Sequence, residues 1–259
     1  MKKSADFLLE AKRDSRKIAC LTAYDYPTAR LLDGEDLDIL LVGDSLGMVV
    51  LGHPDTTSVR MDDMLHHTRA VARGVAQAWI VSDLPAGSCP SPEAAAENSA
   101  RLIEAGADAV KIEGGRECLR MIEAIRGAGI QVVGHLGMLP QRVVEEGGYR
   151  IKGRSDSEAE RMMDDAKALE NAGVAAIVLE LVYPPVTEQL TSMLRIPTIG
   201  IGSGPACDGQ ILVIHDVIGL FPWFRPKFAT ARADVAGEIR RAAAEFVQAT
   251  RSGGKGKPL

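Results

Sequence analysis

The chain has 259 residues, 46% hydrophobic but only 4% aromatic, with 30 lysines and arginines against 35 acids, a formal charge of −5. That balance disfavours nucleic acid or an anionic membrane as a partner, and an aliphatic core suits stacked parallel strands better than an aromatic-rich sandwich. Cys20, Cys89, Cys118 and Cys207 form no CxxC pair, and no apolar run approaches about 18 residues, so a reduced, soluble, cytoplasmic protein is expected.

Strand-like and helix-like segments alternate along the chain, and no low-complexity linker divides them. Residues 18–25 and 38–45 read as the first two strands, followed by an amphipathic helix at 62–74 that opens on two acids and stops at Gly74. A strand at 78–85 leads into a helix at 91–106, where Ser91 is the N-cap, Pro92 occupies the first turn and Gly106 ends the run. The alternation continues with strand 109–113, helix 116–129 and strand 131–136. Next comes a long polar, Gly-containing segment at 138–155, which in a compact barrel reads as a lid or binding loop. Helix 158–173, strand 175–182, a helix opened by Pro184 and Pro185, strand 196–202 and a short strand near 216–220 follow. A C-terminal helix spans about 232–250, and 252–259 is expected to be a disordered tail. Eight strands with interleaved helices predict a single-domain (β/α)8 TIM barrel over 1–251, with an open doubly wound sheet as the competing architecture.

Four β-like runs end in acids: Asp44, Asp83, Glu113 and Glu180. Acids at the ends of separate parallel strands converge on one barrel mouth, which is where metal-assisted chemistry is built. Asp44 and Asp83, with Glu113 beside them, are hard oxygen donors suited to Mg²⁺. Each alone would also suit a helix cap or a βα turn. Adjacent His66 and His67 cannot face one ion from a helix. Lys111 and Glu113 leave their strand on one face; the lysine suits a substrate carboxylate, or the two form a structural ion pair. His135 is a satisfied core histidine or a donor to a substrate carbonyl, and Glu180 is a general base or a structural acid. The glycines of GIGSG at 200–204 either cradle an anion or let the rim turn tightly.

With these residues in view, the chain closely resembles the ketopantoate hydroxymethyltransferase family from about residue 18 to 248. The motifs are LTAYDY (21–26), VGDSLGM (42–48), HTRAV (67–71), SDLP (82–85) and GADAVKIEGG (106–115). They continue with GHLGMLPQ (134–141), GGYRIKGR (147–154), VLE (178–180), IGIGSG and DGQILVIHD (199–216) and PKF (226–228). The resemblance implies a TIM-barrel enzyme that uses Mg²⁺ and 5,10-methylenetetrahydrofolate. It would transfer a hydroxymethyl group to 3-methyl-2-oxobutanoate, giving 2-dehydropantoate for pantothenate synthesis. Carried over by motif, Asp44, Asp83 and Glu113 are the metal ligands or their water-bridged partners. Ser45 and Lys111 contact the 2-oxo acid, Asp44 and Asp83 lie close to it, Glu180 accepts the proton, and His135 is a nearby polar group. Several members of the family are decamers, which implies a homo-oligomer.

The departures from the family cluster at the rim. Where aromatics are usual after SDLP, this chain has Ala86 and Cys89; Leu181-Val182-Tyr183 replaces Cys-Val-Pro, and Ser58-Val59-Arg60 replaces Pro-Val-Thr. Either the chemistry is kept on a different or larger 2-oxo acid, or the changes are compensated drift. Two other functions compete: a Mg-dependent lyase of the phosphoenolpyruvate mutase/isocitrate lyase group, and a non-catalytic binding paralogue. No Lys-Lys-Cys-Gly-His-like loop occurs, which counts against the lyase. Retention of all four acids counts against the paralogue, because buried acids without a ligand are costly.

Overall fold

A computed structural model describes residues 2–252; the tail expected to be disordered lies outside the described residues except for Ser252. Eight strands, β1 (Ile18–Thr22), β2 (Ile39–Val42), β3 (Trp79–Asp83), β4 (Ala109–Glu113), β5 (Gln131–Gly137), β6 (Ala176–Glu180), β7 (Thr198–Ile201) and β8 (Gly209–Leu212), form one closed parallel barrel in chain order. The helices are α1 (Ala5–Arg13), α2 (Tyr26–Asp33), α3 (Leu46–Val49), α4 (Met61–Ala72), α5 (Pro92–Glu104), α6 (Leu119–Gly127), α7 (Asp156–Asn171), α8 (Pro184–Met193), α9 (Ile214–Val217) and α10 (Val235–Arg251). The chain divides into two compact units, Met1–Ile211 and Leu212–Leu259, the second holding α9 and α10. No helix among the described residues is long and apolar enough to cross a membrane.

The predicted barrel is the observed one, with one strand misplaced. Residues 216–220 are not a strand; Ile214–Val217 is a short helix, and the eighth strand is Gly209–Leu212. Gln210 is exposed and Gly209 has no side chain, so GQIL lacks the apolar signature of its neighbours. The glycine is required by barrel closure: a Cβ at Gly209 would lie 2.6 Å from the Ile18 carbonyl oxygen. There the Ile18 N–H donates to the Asp208 carbonyl at 3.0 Å.

Strand alternation builds the interior. Ile39 and Leu41, Trp79 and Val81, Ala109, Val133, and Ala176 and Val178 share one buried cluster with Leu8 and Ala11 of α1 at its base. Continuing by steps of two along the same faces gives Asp83 on β3, Lys111 and Glu113 on β4, His135 on β5 and Glu180 on β6. The barrel is therefore filled with apolar layers below and ends in a charged layer at its C-terminal face. Parallel pairing aligns that layer, with Asp83 beside Lys111 and Glu113 beside His135.

Candidate active site

Lys111 is the centre of the charged layer. Its Nζ lies 3.2 Å from Asp83 Oδ1, 3.7 Å from Glu113 Oε1 and 3.2 Å from His135 Nδ1. Burial disfavours its charge, but Asp83, Glu113 and Asp44 outweigh burial and hold the ammonium above its usual range. Asp83 Oδ2 accepts a hydrogen bond from the Asp44 N–H at 3.0 Å, so β3 positions the residue that follows β2.

Asp44 carries the strain of the cluster. Burial, then the Asp83 and Glu113 charges, push its carboxyl well above the usual carboxylate range, against weaker help from Lys111 and Gln141. Asp83 is raised too, because burial outweighs Lys111 and the Asp44 N–H. Glu113 goes the other way: burial opposes ionisation, but His135, Lys111 and the Gln141 N–H hold it below its ordinary value.

His135 joins this group to Glu180. Nδ1 stands 3.3 Å from Glu113 Oε1, and Nε2 stands 3.4 Å from Glu180 Oε2. Burial and the Lys111 charge oppose protonation, yet Glu113 and Glu180 raise the imidazole to about 9. The ring thus bridges the two carboxylates, with the Lys111 ammonium also 3.2 Å from Nδ1.

All the predicted site residues meet at this mouth. Ser45 begins α3 beside Asp44, with its Oγ 2.8 Å from the Tyr24 hydroxyl. The serine of GIGSG supports the neighbouring strand end. Ser203 Oγ donates to the Leu179 carbonyl at 2.7 Å and accepts the Val182 N–H at 2.9 Å, which ties down the end of β6. That support matters because Leu181, next to Glu180, has φ +47°, a left-handed backbone that costs a non-glycine residue energy. Leu181 N–H donates to Ile201 O at 2.9 Å and its carbonyl accepts Lys152 N–H at 2.8 Å, so the strained residue is held from both sides. His67 Nδ1 contacts the Tyr24 carbonyl oxygen at 2.6 Å, a structural role, and all four cysteines are free.

Sequence reasoning missed Gln141. Its Nε2 donates to Asp44 Oδ2 at 2.8 Å and to the Leu84 carbonyl at 2.9 Å, while its N–H donates to Glu113 Oε2 at 3.1 Å. It sits on a single 3-10 turn, Pro140–Arg142, where hydrophobic periodicity carries no signal. Its place at the end of GHLGMLPQ was the one available pointer.

The site suits a hard divalent cation. Asp44, Asp83, Glu113 and Glu180 gather around Lys111 and His135, so four carboxyl groups, all hard oxygen donors, surround two basic side chains. Among the described residues no three His, Cys, Asp or Glu side chains form a metal cage by themselves. Such ions bind through one or two carboxylates with water and substrate oxygens, a coordination these residues can supply.

The fold and this mouth define a (β/α)8-barrel enzyme with an acidic, cation-compensated site at the strands' C-terminal ends. Residues 2–254 match the ketopantoate hydroxymethyltransferase family, and the chain belongs to it; it is a hydroxymethyltransferase. A 3-methyl-2-oxobutanoate hydroxymethyltransferase of Ignicoccus hospitalis is 50% identical over 247 residues, covering 95% of this chain and 94% of the relative. One from a Thermoanaerobacter species is 52% identical over 230 residues, covering 88% of this chain and 84% of the relative. Among solved structures, a phosphonopyruvate hydrolase complexed with oxalate and Mg²⁺ aligns with TM-score 0.64 at 14% identity, over 98% of this chain and 89% of that one. A 2,3-dimethylmalate lyase of the PEP mutase/isocitrate lyase superfamily aligns with TM-score 0.62 at 18% identity, over 100% and 92%. At those identities the likeness establishes the fold alone.

Proposed function

We propose that this enzyme transfers a hydroxymethyl group to 3-methyl-2-oxobutanoate, its carbon coming from 5,10-methylenetetrahydrofolate and its hydroxyl from water, giving 2-dehydropantoate for pantothenate synthesis and tetrahydrofolate, with Mg²⁺ as the metal. The observation that carries the reading is the continuous charged chain from Asp83 through Lys111 and His135 to Glu180, in a chain whose residues 2–254 match this family.

Asp44 and Asp83 would hold the metal, with Glu113 reached through water because its oxygens already face Gln141, Lys111 and His135. A hard divalent cation there supplies Lewis-acid polarisation of the acceptor's keto group, worth several kcal/mol. Lys111, kept charged by its acid neighbours, and the Ser45 hydroxyl orient the 2-oxo acid. Glu180 removes the C3 proton, a step in which a positioned base gives roughly 10²–10⁴-fold. His135, facing Glu180 through Nε2, aligns that carboxylate. We read the protein as a cytoplasmic homo-oligomer, and the exposed Ile239, Phe246 and Val247 along α10 support the oligomer.

A second reading keeps the chemistry and enlarges the acceptor. It is favoured by a cavity of about 570 Å³ whose lining includes Ser58, Arg60 and Ala86, three of the rim residues that depart from the family.

The central test is Glu180→Gln, which keeps the shape and removes the base. Deuterium exchange at C3 of 3-methyl-2-oxobutanoate should fall by at least about 10²-fold while the acid still binds. Exchange near the wild-type rate would move the base elsewhere, with His135 next in line.

A further inference from the structure

We infer that Tyr149 is the donor-specificity residue of this enzyme: its ring stacks on the flat heterocycle of the folate at the outer layer of the mouth. The inference rests on the function proposed above.

Residues 138–152 form an arch with both feet on the end of β6. Met138 N–H donates to the Glu180 carbonyl at 2.8 Å, and Lys152 N–H donates to the Leu181 carbonyl at 2.8 Å. The returning foot is fixed further by the Tyr183 N–H, which donates to the Lys152 carbonyl at 2.9 Å, and by the Lys152–Glu146 ion pair. An arch so anchored must stand over the strand end that carries Glu180. Two consecutive glycines with positive φ, Gly147 (+71°) and Gly148 (+118°), turn the chain just before Tyr149.

The ring's position is legible in its surroundings. Burial, then the carboxylates of Glu180, Asp44 and Glu113, push its phenol far above the usual range. Tyr149 lies three residues before Lys152, whose N–H is fixed on Leu181 beside Glu180, so the arch carries its ring to the mouth, and the shift agrees with that placement.

Depth separates the two substrates. Asp44, Lys111, Glu113 and His135 are 2–7% exposed, whereas Tyr149 is 47%, Ile151 39% and Val144 69% exposed. A five-carbon acid held by the buried groups cannot also cover the arch. The one-carbon donor arrives from outside, is far larger, and carries a flat ring that matches an exposed aromatic face. Stacking of a base-like ring on an aromatic side chain typically changes affinity by roughly tenfold.

The test measures two reactions on the wild type, Tyr149→Ala and Tyr149→Phe. C3 deuterium exchange uses the acceptor without folate; full transfer uses both substrates. Tyr149→Ala should raise the donor KM by roughly tenfold while exchange and the acceptor KM stay unchanged, and Tyr149→Phe should restore the donor KM. The inference is overturned if exchange falls in parallel, if Phe fails as Ala does, or if the donor KM is unmoved. A wild type that shows neither exchange nor transfer removes the proposed function, and this inference with it.

Discussion

Asp83 neutralises two buried neighbours at once: the Lys111 ammonium at 3.2 Å and the Asp44 N–H at 3.0 Å. Removing it leaves a buried cation short of compensation, which typically costs about 3 kcal/mol or more. Asp44 is the opposite case, because burial and its acid neighbours already disfavour its charge. Asp44→Ala should therefore abolish metal-dependent transfer with thermal stability unchanged or raised, and Asp83→Ala should lose both activity and stability. Titrating Mg²⁺ in parallel with thermal unfolding separates the two, and full activity of either variant without added metal would remove it from the metal site. The placement of both acids was readable from the strand ends. Their inequality was not, because it depends on Lys111, which the sequence puts 28 positions after Asp83.

At the scale of elements, the rim loops do what helices and strands cannot. The loop after β3 brings Pro85, Ala86 and Gly87 against Val59 and Arg60 of the loop before α4, and their cavity holds about 570 Å³. A well-filled methylene is worth about 0.8 kcal/mol, so two of them shift preference by roughly tenfold. Ala86→Phe should fill part of this space and narrow the accepted 2-oxo acids toward the five-carbon one. The measurement is kcat/KM across an acceptor series for both proteins; identical profiles would show the departures to be drift. Cys89 does not line this cavity, so Ala86 is the informative position. The long segment at 138–155 is expected to be a lid or binding loop from its length and glycines. Its two anchors on β6 were invisible, since they are backbone hydrogen bonds between distant residues.

For the whole molecule, a second set of acids ties the barrel at its other end. Asp33 accepts the N–H groups of Ala76 at 2.8 Å, Gln77 at 3.0 Å and Ala78 at 2.8 Å, just before β3. Glu170 accepts those of Arg195 at 2.6 Å and Ile196 at 3.3 Å, before β7. Burial opposes ionisation of both, but these hydrogen bonds win and hold each carboxyl below its ordinary value. A depressed folded-state value gives stability that is complete above the unfolded value of 3.8 for Asp33 and is lost as pH falls through the folded one. Asp33→Ala should cost about 1–3 kcal/mol at pH 7 by leaving buried N–H groups unpaired. In urea unfolding, its deficit against the wild type should shrink as pH falls below 3.8 and through the lower folded-state value. A deficit independent of pH would mean that Asp33 acts through packing instead.

Alternation and strand order are local properties, so the sequence by itself determined the eight-stranded barrel, the face of each strand that turns inward, and the acids that crown it. The short polar GQIL was the exception, because closure against β1 demands a glycine whose reason lies 191 residues earlier. Only the tertiary structure decided which charges meet. Barrel register sets Asp83 beside Lys111 and Glu113 beside His135. The arch then brings Gln141 onto Asp44 and Glu113. Asp33 and Asp44 are both buried acids next to a helix or strand end, yet one staples backbone and the other faces an excess of negative charge. Low dielectric makes such pairings decisive and distance governs them, and distance across a barrel is not written in any one segment.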